Sequence, residues 1–439
     1  MNKKILFGLL AFSLCSSFTS AADKAGFAEL YEDAVRYAPV LNSAKFRFGM
    51  EQSRSKQVAA RWLPQVSISA TKSENESEDL ITNVETDYDG EKYSLVARQK
   101  LYDRESKEQK SSAEFQAKSR GAEYEDAKDQ LAVDLVERYF ALLESQRAVT
   151  TIEAEVTALN ERFRQVEKMY ERKLVKITDL YEVRSRRDLA ASQHIEAIKN
   201  LRLSEEYLVE IVGYRVADIK DLKSEIEFPT TENEVEYWVD QAMSNNPFVQ
   251  SKTFSLQAAE RDLSSKKWYM MPKVDLIYSH QRTDLGYENA QSNLRETDYI
   301  GVEVNMSLFA GGANRHRKQE AFYKREMSQQ DLRLAQTTTA RKVRDAYWGA
   351  KLSHAKIDAT RQALDSYTKT HELMEKSYGY RTVTIADVLD ALKEKFRAQL
   401  EYERARYEFV RQYIVLKKES GDLNNGDIQL VDNWLQQAL

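Results

Sequence analysis

The chain has 439 residues, of which 31% are charged, with a net charge of −5 and a mean hydropathy of −0.64. That length allows two or three ordinary domains or one elongated one. Past the first twenty residues no apolar run approaches the ~18 needed to span a bilayer as a helix, which excludes a bundle of transmembrane helices, and the interspersed charges offer no basic face to nucleic acid.

The N-terminus reads as a signal peptide over residues 1–22. Lys3 and Lys4 supply the basic start, Ile5 to Leu14 the short apolar core, and Thr19-Ser20-Ala21-Ala22 the small residues of a cleavage site. The only cysteine, Cys15, follows the large Leu14, which does not suit lipid attachment, and the mature chain is left without a disulfide. Two helices are predicted next, over about 26–39 and 41–62. A strand follows at about 64–73, then a polar loop and a second strand at about 92–102. The loop is strongly acidic from Glu74 to Glu91, and a solvated extracellular loop explains it better than a calcium site or a recognition surface. A very long helix (about 104–170), a short turn and another long helix (about 178–213) complete the unit.

The same order then repeats. Helices are predicted over 232–245 and 247–270, strands over 272–283 and 297–309, and long helices over 312–378 and 384–420. Pro39 and Pro247, Pro64 and Pro272, Tyr139 and Tyr347, Asp179 and Asp387, and Gly213 and Gly421 are each separated by 208 positions. Five landmarks at one offset indicate a duplicated chain. The boundaries are 23–228 for the first repeat and 229–421 for the second, with the linker at Phe228-Pro229-Thr230-Thr231 and a tail over 422–439. No proline falls between Pro64 and Pro229 or after Pro272, so long helices are permitted.

Val149, Ile152, Val156, Leu159, Phe163, Val166 and Tyr170 alternate at spacings of three and four, as coiled-coil seams do. The matching stripe in the second repeat runs from Ile357 to Tyr378 and includes His371, which is better read as packed than as a metal ligand. A helix of ~65 residues is roughly 100 Å long, a length suited to crossing a periplasm. The strands alternate differently. Val66, Ile68 and Ala70 share one face, as do Val274, Leu276 and Tyr278, and Ile300, Val302, Val304, Met306 and Leu308. One apolar and one polar face over about ten residues fits a membrane-barrel strand. Four strands cannot close a barrel, so the chain must share one with other copies. An exported coiled-coil brace is the rival reading, but it leaves the four strands unexplained. No metal-ligand spacing, phosphate loop or catalytic constellation is present, so neither a cofactor nor an enzymatic activity is expected.

Thr384-Ile385-Ala386-Asp387-Val388-Leu389-Asp390-Ala391, Leu174-Val175-Lys176-Ile177-Thr178-Asp179 and Ser307-Leu308-Phe309-Ala310-Gly311-Gly312 resemble the periplasmic hairpins and the last strand-to-helix junction of the TolC family of outer-membrane efflux proteins. The resemblance covers nearly all of the mature chain. It implies a mainly α fold with a membrane β-barrel, in which a homotrimer builds one twelve-stranded barrel above a tapered periplasmic cylinder of helical hairpins. It further implies a passive exit duct in the outer membrane, serving a tripartite efflux pump or type I secretion. Its partners would be a periplasmic adaptor, an inner-membrane transporter of ABC, RND or MFS type, and outer-membrane lipid.

The resemblance also implies roles for residues. Asp387 and Asp390 match the family's pore constriction. Crowded around an axis, they would attract cations and have their carboxyl pKa values raised. Thr384-x-x-Asp387 is at the same time a candidate capping box. Thr178, Asp179 and Tyr378 match a latch that closes the tip. The family's latch arginine falls on Val383, which leaves Arg381, two residues earlier, as the candidate substitute. Lys173 stands where the family commonly has glycine. Lys173, Leu174, Val175, Thr382 and Val383 would meet the adaptor.

Overall fold

In the computed structural model the structure describes residues 26–436, apart from 217, 225, 227, 228, 230–232 and 285–293. The expected signal peptide and most of the expected linker lie outside the described residues.

The first unit runs α1 (Phe27–Tyr37), α2 (Pro39–Ala60), β1 (Gln65–Asp79), β2 (Val84–Tyr102), α3 (Arg104–Glu171) and α4 (Ile177–Val212). After a short β3 (Asp221–Leu222) the pattern recurs as α5 (Val235–Asn245), α6 (Pro247–Lys267), β4 (Lys273–Asp284), β5 (Arg295–Asn305), α7 (Ala313–Gly379) and α8 (Ile385–Ser420). The duplicated landmarks now have causes. Pro39 and Pro247 open helices at a first-turn position that needs no N–H donor. Asp179 and Asp387 reach back to the backbone N–H groups of the residues that precede α4 and α8. Gly213 and Gly421 end α4 and α8 at φ +90° and +72°, a left-handed stop that suits glycine. At Gly421 a Cβ would also lie 2.6 Å from the backbone of Asn245 and Asn246.

At 68 and 67 residues, α3 and α7 each extend about 100 Å. α3 pairs with α4 and α7 with α8, α6 packs along α3 and α7, and α3 also meets α8, which joins the two repeats side by side. Both hairpin turns therefore lie at one end and all four long strands at the other. The main core is a belt between them, where Phe27, Tyr139, Phe140 and Tyr407 are fully buried among α1, α3 and α8. The Tyr407 hydroxyl donates to Asp221 at 3.0 Å, and Asp221 is paired with Arg147.

The tail departs from expectation. Residues 425–436 form α9 (Asn425–Trp434) and β6 (Leu435–Gln436). Ile428, Val431 and Trp434 close the belt, and β6 pairs with β3. The chain's end thus covers the core near the middle of the molecule.

The four long strands form one antiparallel sheet in the order β1-β2-β4-β5, so β1 and β5 are both open edges. In register, Val66, Ile68 and Ala70 stand beside Ala97, Leu95 and Tyr93, and the same face continues through Leu276 and Tyr278 to Ile300, Val302 and Val304. Ile68 is 81% exposed and Ile300 73%, an apolar surface for which water is the wrong solvent. The opposite face carries Ser69 bonded to Ser94 at 2.8 Å, and Arg98 paired with Asp275 and Glu303, both at 3.2 Å.

Three strand boundaries correct the expectation. The strand expected over 297–309 ends at Asn305, because Met306 to Gly312 leave the ladder to enter α7. The acidic stretch 74–91 is a continuation of β1 and β2 rather than a loop. Six of its carboxylates stand on one face in direct opposition, Glu74 to Asp89, Glu76 to Asp87 and Glu78 to Glu85. Like charges across a ladder are unfavourable, and strand alternation disappears from a sequence once both faces are polar.

Candidate functional site

The two hairpin turns are packed side by side. Leu159 and Val166 of α3, Val183 and Ala190 of α4, and Ile385, Leu389 and Leu392 of α8 form a small buried cluster, flanked by Phe163, Val175, Leu180 and Tyr378. In the first turn Lys173 adopts φ +57° and the N–H of Leu174 donates to Met169 at 2.9 Å. In the second, Arg381 adopts φ +61° and the N–H of Thr382 donates to Ser377 at 3.1 Å. Lys173 and Arg381 thus occupy equivalent positions. Both stand in a left-handed conformation that L-residues adopt at a cost and glycine does not.

Of the expected adaptor contacts, Lys173, Leu174 and Thr382 are exposed, whereas Val175 and Val383 are half-buried. Thr382 turns its hydroxyl back onto the carbonyl of Ser377 at 3.0 Å.

Asp387 completes the capping box as expected. Its carboxylate accepts from the Thr384 N–H at 2.8 Å and from the Thr384 hydroxyl at 2.6 Å, and its own N–H donates to that hydroxyl at 3.3 Å. These bonds hold the Asp387 carboxyl below its ordinary pKa. In the single chain the direction is therefore opposite to that expected from crowding, because hydrogen bonds to the charged form dominate where no second carboxylate is close. Asp390, one turn on and equally exposed, is paired at 2.9 Å with Arg186 of α4. Arg186 also holds Glu182 at 3.2 Å.

The residues expected to latch the tip make short-range contacts within the chain. Thr178 donates to Asp179 at 3.4 Å, and Asp179 accepts from the Lys176 N–H at 3.2 Å. The Tyr378 hydroxyl is buried and makes no hydrogen bond among the described residues. Burial pushes its pKa up, and the nearby Asp179 charge adds to this. No carboxylate of the same chain, among the described residues, comes within ion-pair distance of Arg381. Arg162 of α3 lies beside Tyr378 instead. It pairs with Glu375 of α7 and lies 5.8 Å from the Tyr378 ring centre.

Arg162 and Arg186 were not singled out from the sequence. Each partner lies about two hundred positions away, and no local spacing announces such a pair. His371 is half-buried in the α7 stripe, and burial lowers its pKa. Among the described residues no group of acidic, histidine or cysteine side chains is arranged to hold a metal, and no helix is long and apolar enough to cross a membrane.

The profile of the outer membrane efflux protein family matches the chain twice, over residues 30–214 and 238–422. The matches start 238 − 30 = 208 positions apart, the displacement of the duplicated landmarks. Among curated relatives, the alkaline protease secretion protein AprF of Pseudomonas aeruginosa is 26% identical over 348 residues, covering 79% of this chain and 72% of AprF. The outer membrane protein TolC of Vibrio cholerae is 25% identical over 440 residues, 99% of each chain. Among solved structures, the CmeC outer membrane channel of Campylobacter jejuni has a TM-score of 0.80 at 14% identity, covering 99% of this chain and 98% of that one. VceC of Vibrio cholerae has a TM-score of 0.78 at 16% identity, covering 90% and 96%. The chain belongs to the outer membrane efflux protein family of TolC-like channels, non-enzymatic ducts of the outer membrane that reach into the periplasm and serve as the exit for efflux pumps or type I secretion.

Proposed function

We propose that three copies close one twelve-stranded barrel, with the apolar face toward outer-membrane lipid and the serine-rich face toward a wet lumen. The open edges β1 and β5 carry this reading, since each chain brings four strands and leaves two edges unsatisfied. In lipid an open edge has no water to bond, so β1 of one copy must pair with β5 of the next.

The hairpins then form the periplasmic cylinder, and the tip is its gate. Asp387 and Asp390 ring the constriction. Thr178, Asp179, Tyr378 and Arg381, with Arg162 beside the Tyr378 ring, hold the tip closed. Lys173, Leu174, Val175, Thr382 and Val383 meet a periplasmic adaptor that joins the duct to an inner-membrane transporter of ABC, RND or MFS type. Residues 1–22 direct export and are removed. Cargo moves passively once the tip opens. The likeness to AprF favours a secretion system among the possible users.

Conductance in planar bilayers tests the site. Replacing both Asp387 and Asp390 with alanine should bring the cation-over-anion preference toward unity and raise conductance. Unchanged values in both would place the two aspartates outside the constriction. Imaging of the purified particle should show a three-fold hollow axis, and a solid monomer would end the reading.

A further inference from the structure

Asp387 and Asp390 lie one turn apart on α8, but their surroundings differ. Among the described residues no cation stands within ion-pair distance of Asp387, whereas the Arg186 guanidinium reaches Asp390 at 2.9 Å. Arg186 sits on α4, in the other repeat, and its Nε is held by Glu182 at 3.2 Å, one turn earlier on the same helix. Glu182 thus aims the guanidinium across the gap between the second helices of the two hairpins. All three side chains are partly exposed, which makes the pair weak enough to break when the helices separate.

We propose that Arg186 couples the opening of the duct to its ion selectivity. At rest it straps α4 to α8 and cancels one of the two constriction carboxylates of each chain. When the hairpins swing apart the pair is lost and Asp390 joins Asp387 as a free negative charge. The closed tip is therefore the less cation-selective state, and the opened one attracts cations more strongly. This rests on the reading of Asp387 and Asp390 as the constriction.

Single-channel recording at low salt, with the purified protein and its R186Q, R186K and D387N variants, separates the possibilities. R186Q should open more often and show a cation-to-anion permeability ratio roughly tenfold or more above wild type, since one unscreened charge at ~6 Å in water favours a cation and disfavours an anion by about threefold each. R186K keeps the charge without the fork and should restore the selectivity of the wild type. D387N should lose cation preference. If D387N behaves so while R186Q stays at or below the wild-type ratio, Arg186 has no such role and the constriction reading stands. If D387N is silent, the constriction reading fails and this inference falls with it.

Discussion

Asp129 of α3 sits beneath α1 and against α8, with Tyr31, Glu125, Asp126, Lys128 and Lys418 around it. Burial, reinforced by the Asp126 charge, raises its pKa to about 7, and Lys418 only partly offsets this. An unfolded chain releases that proton near pH ~4. Between ~4 and about 7 the folded state binds the extra proton, so the contribution of Asp129 to stability falls as pH rises through this window and is fully lost above it. Asp129→Asn should raise the melting temperature at pH 8 by roughly 2–4 °C, discounted for the solvent that still reaches the site, and the gain should shrink toward pH 5. Equal gains at both pH values would show that the carboxylate is not the cause. Asp387 illustrates the opposite balance, since two bonds from Thr384 stabilise its charged form.

The hairpin turns show how an element can hold a residue against its preference. Lys173 and Arg381 occupy left-handed positions at about 1 kcal/mol or more relative to glycine. Lys173→Gly should therefore stabilise the hairpin by about 0.5 kcal/mol, after the greater freedom of glycine in the unfolded chain is subtracted. Thermal unfolding checks this, and a loss of stability would mean that the lysine side chain contributes more than its backbone costs.

The elements themselves were largely legible in the sequence. The long helices were marked by proline-free stretches and by the capping box at Asp387, and the apolar parts of the strands by their alternation. The extension of β1 to Asp79 was not legible, because Glu74, Glu76 and Glu78 face Asp89, Asp87 and Glu85 and no apolar face remains to reveal the period. The tail helix is short and gains its order from the belt it covers with Ile428, Val431 and Trp434. At the tip, the capping role of Asp387 could be read from Thr384, four positions of local chain. Arg186 opposite Asp390 could not, because only the packing of one repeat on the other brings them together.

On the scale of the whole molecule, the sheet and the rod make opposite demands. The four long helices of the rod are satisfied by their own backbone bonds, but the sheet is satisfied only along its three seams, which leaves the outer side of β1 and of β5 unpaired among the described residues. A proline at Val302 of β5 removes one N–H donor from the edge strand, either toward β4 or toward the neighbouring copy, and so weakens closure whichever way that group points.

Such a defect would not stay confined to the chain that carries it. In the proposed ring every copy serves as both lock and keyhole for its neighbours, so a faulty subunit ruins the healthy ones it joins. In a cell making equal amounts of wild-type and Val302→Pro chains, random mixing leaves only about one ring in eight free of damage. Export measured in that cell should drop far below the half expected from simple gene dosage, and a drop to only half would mean that the copies sort by kind before they meet.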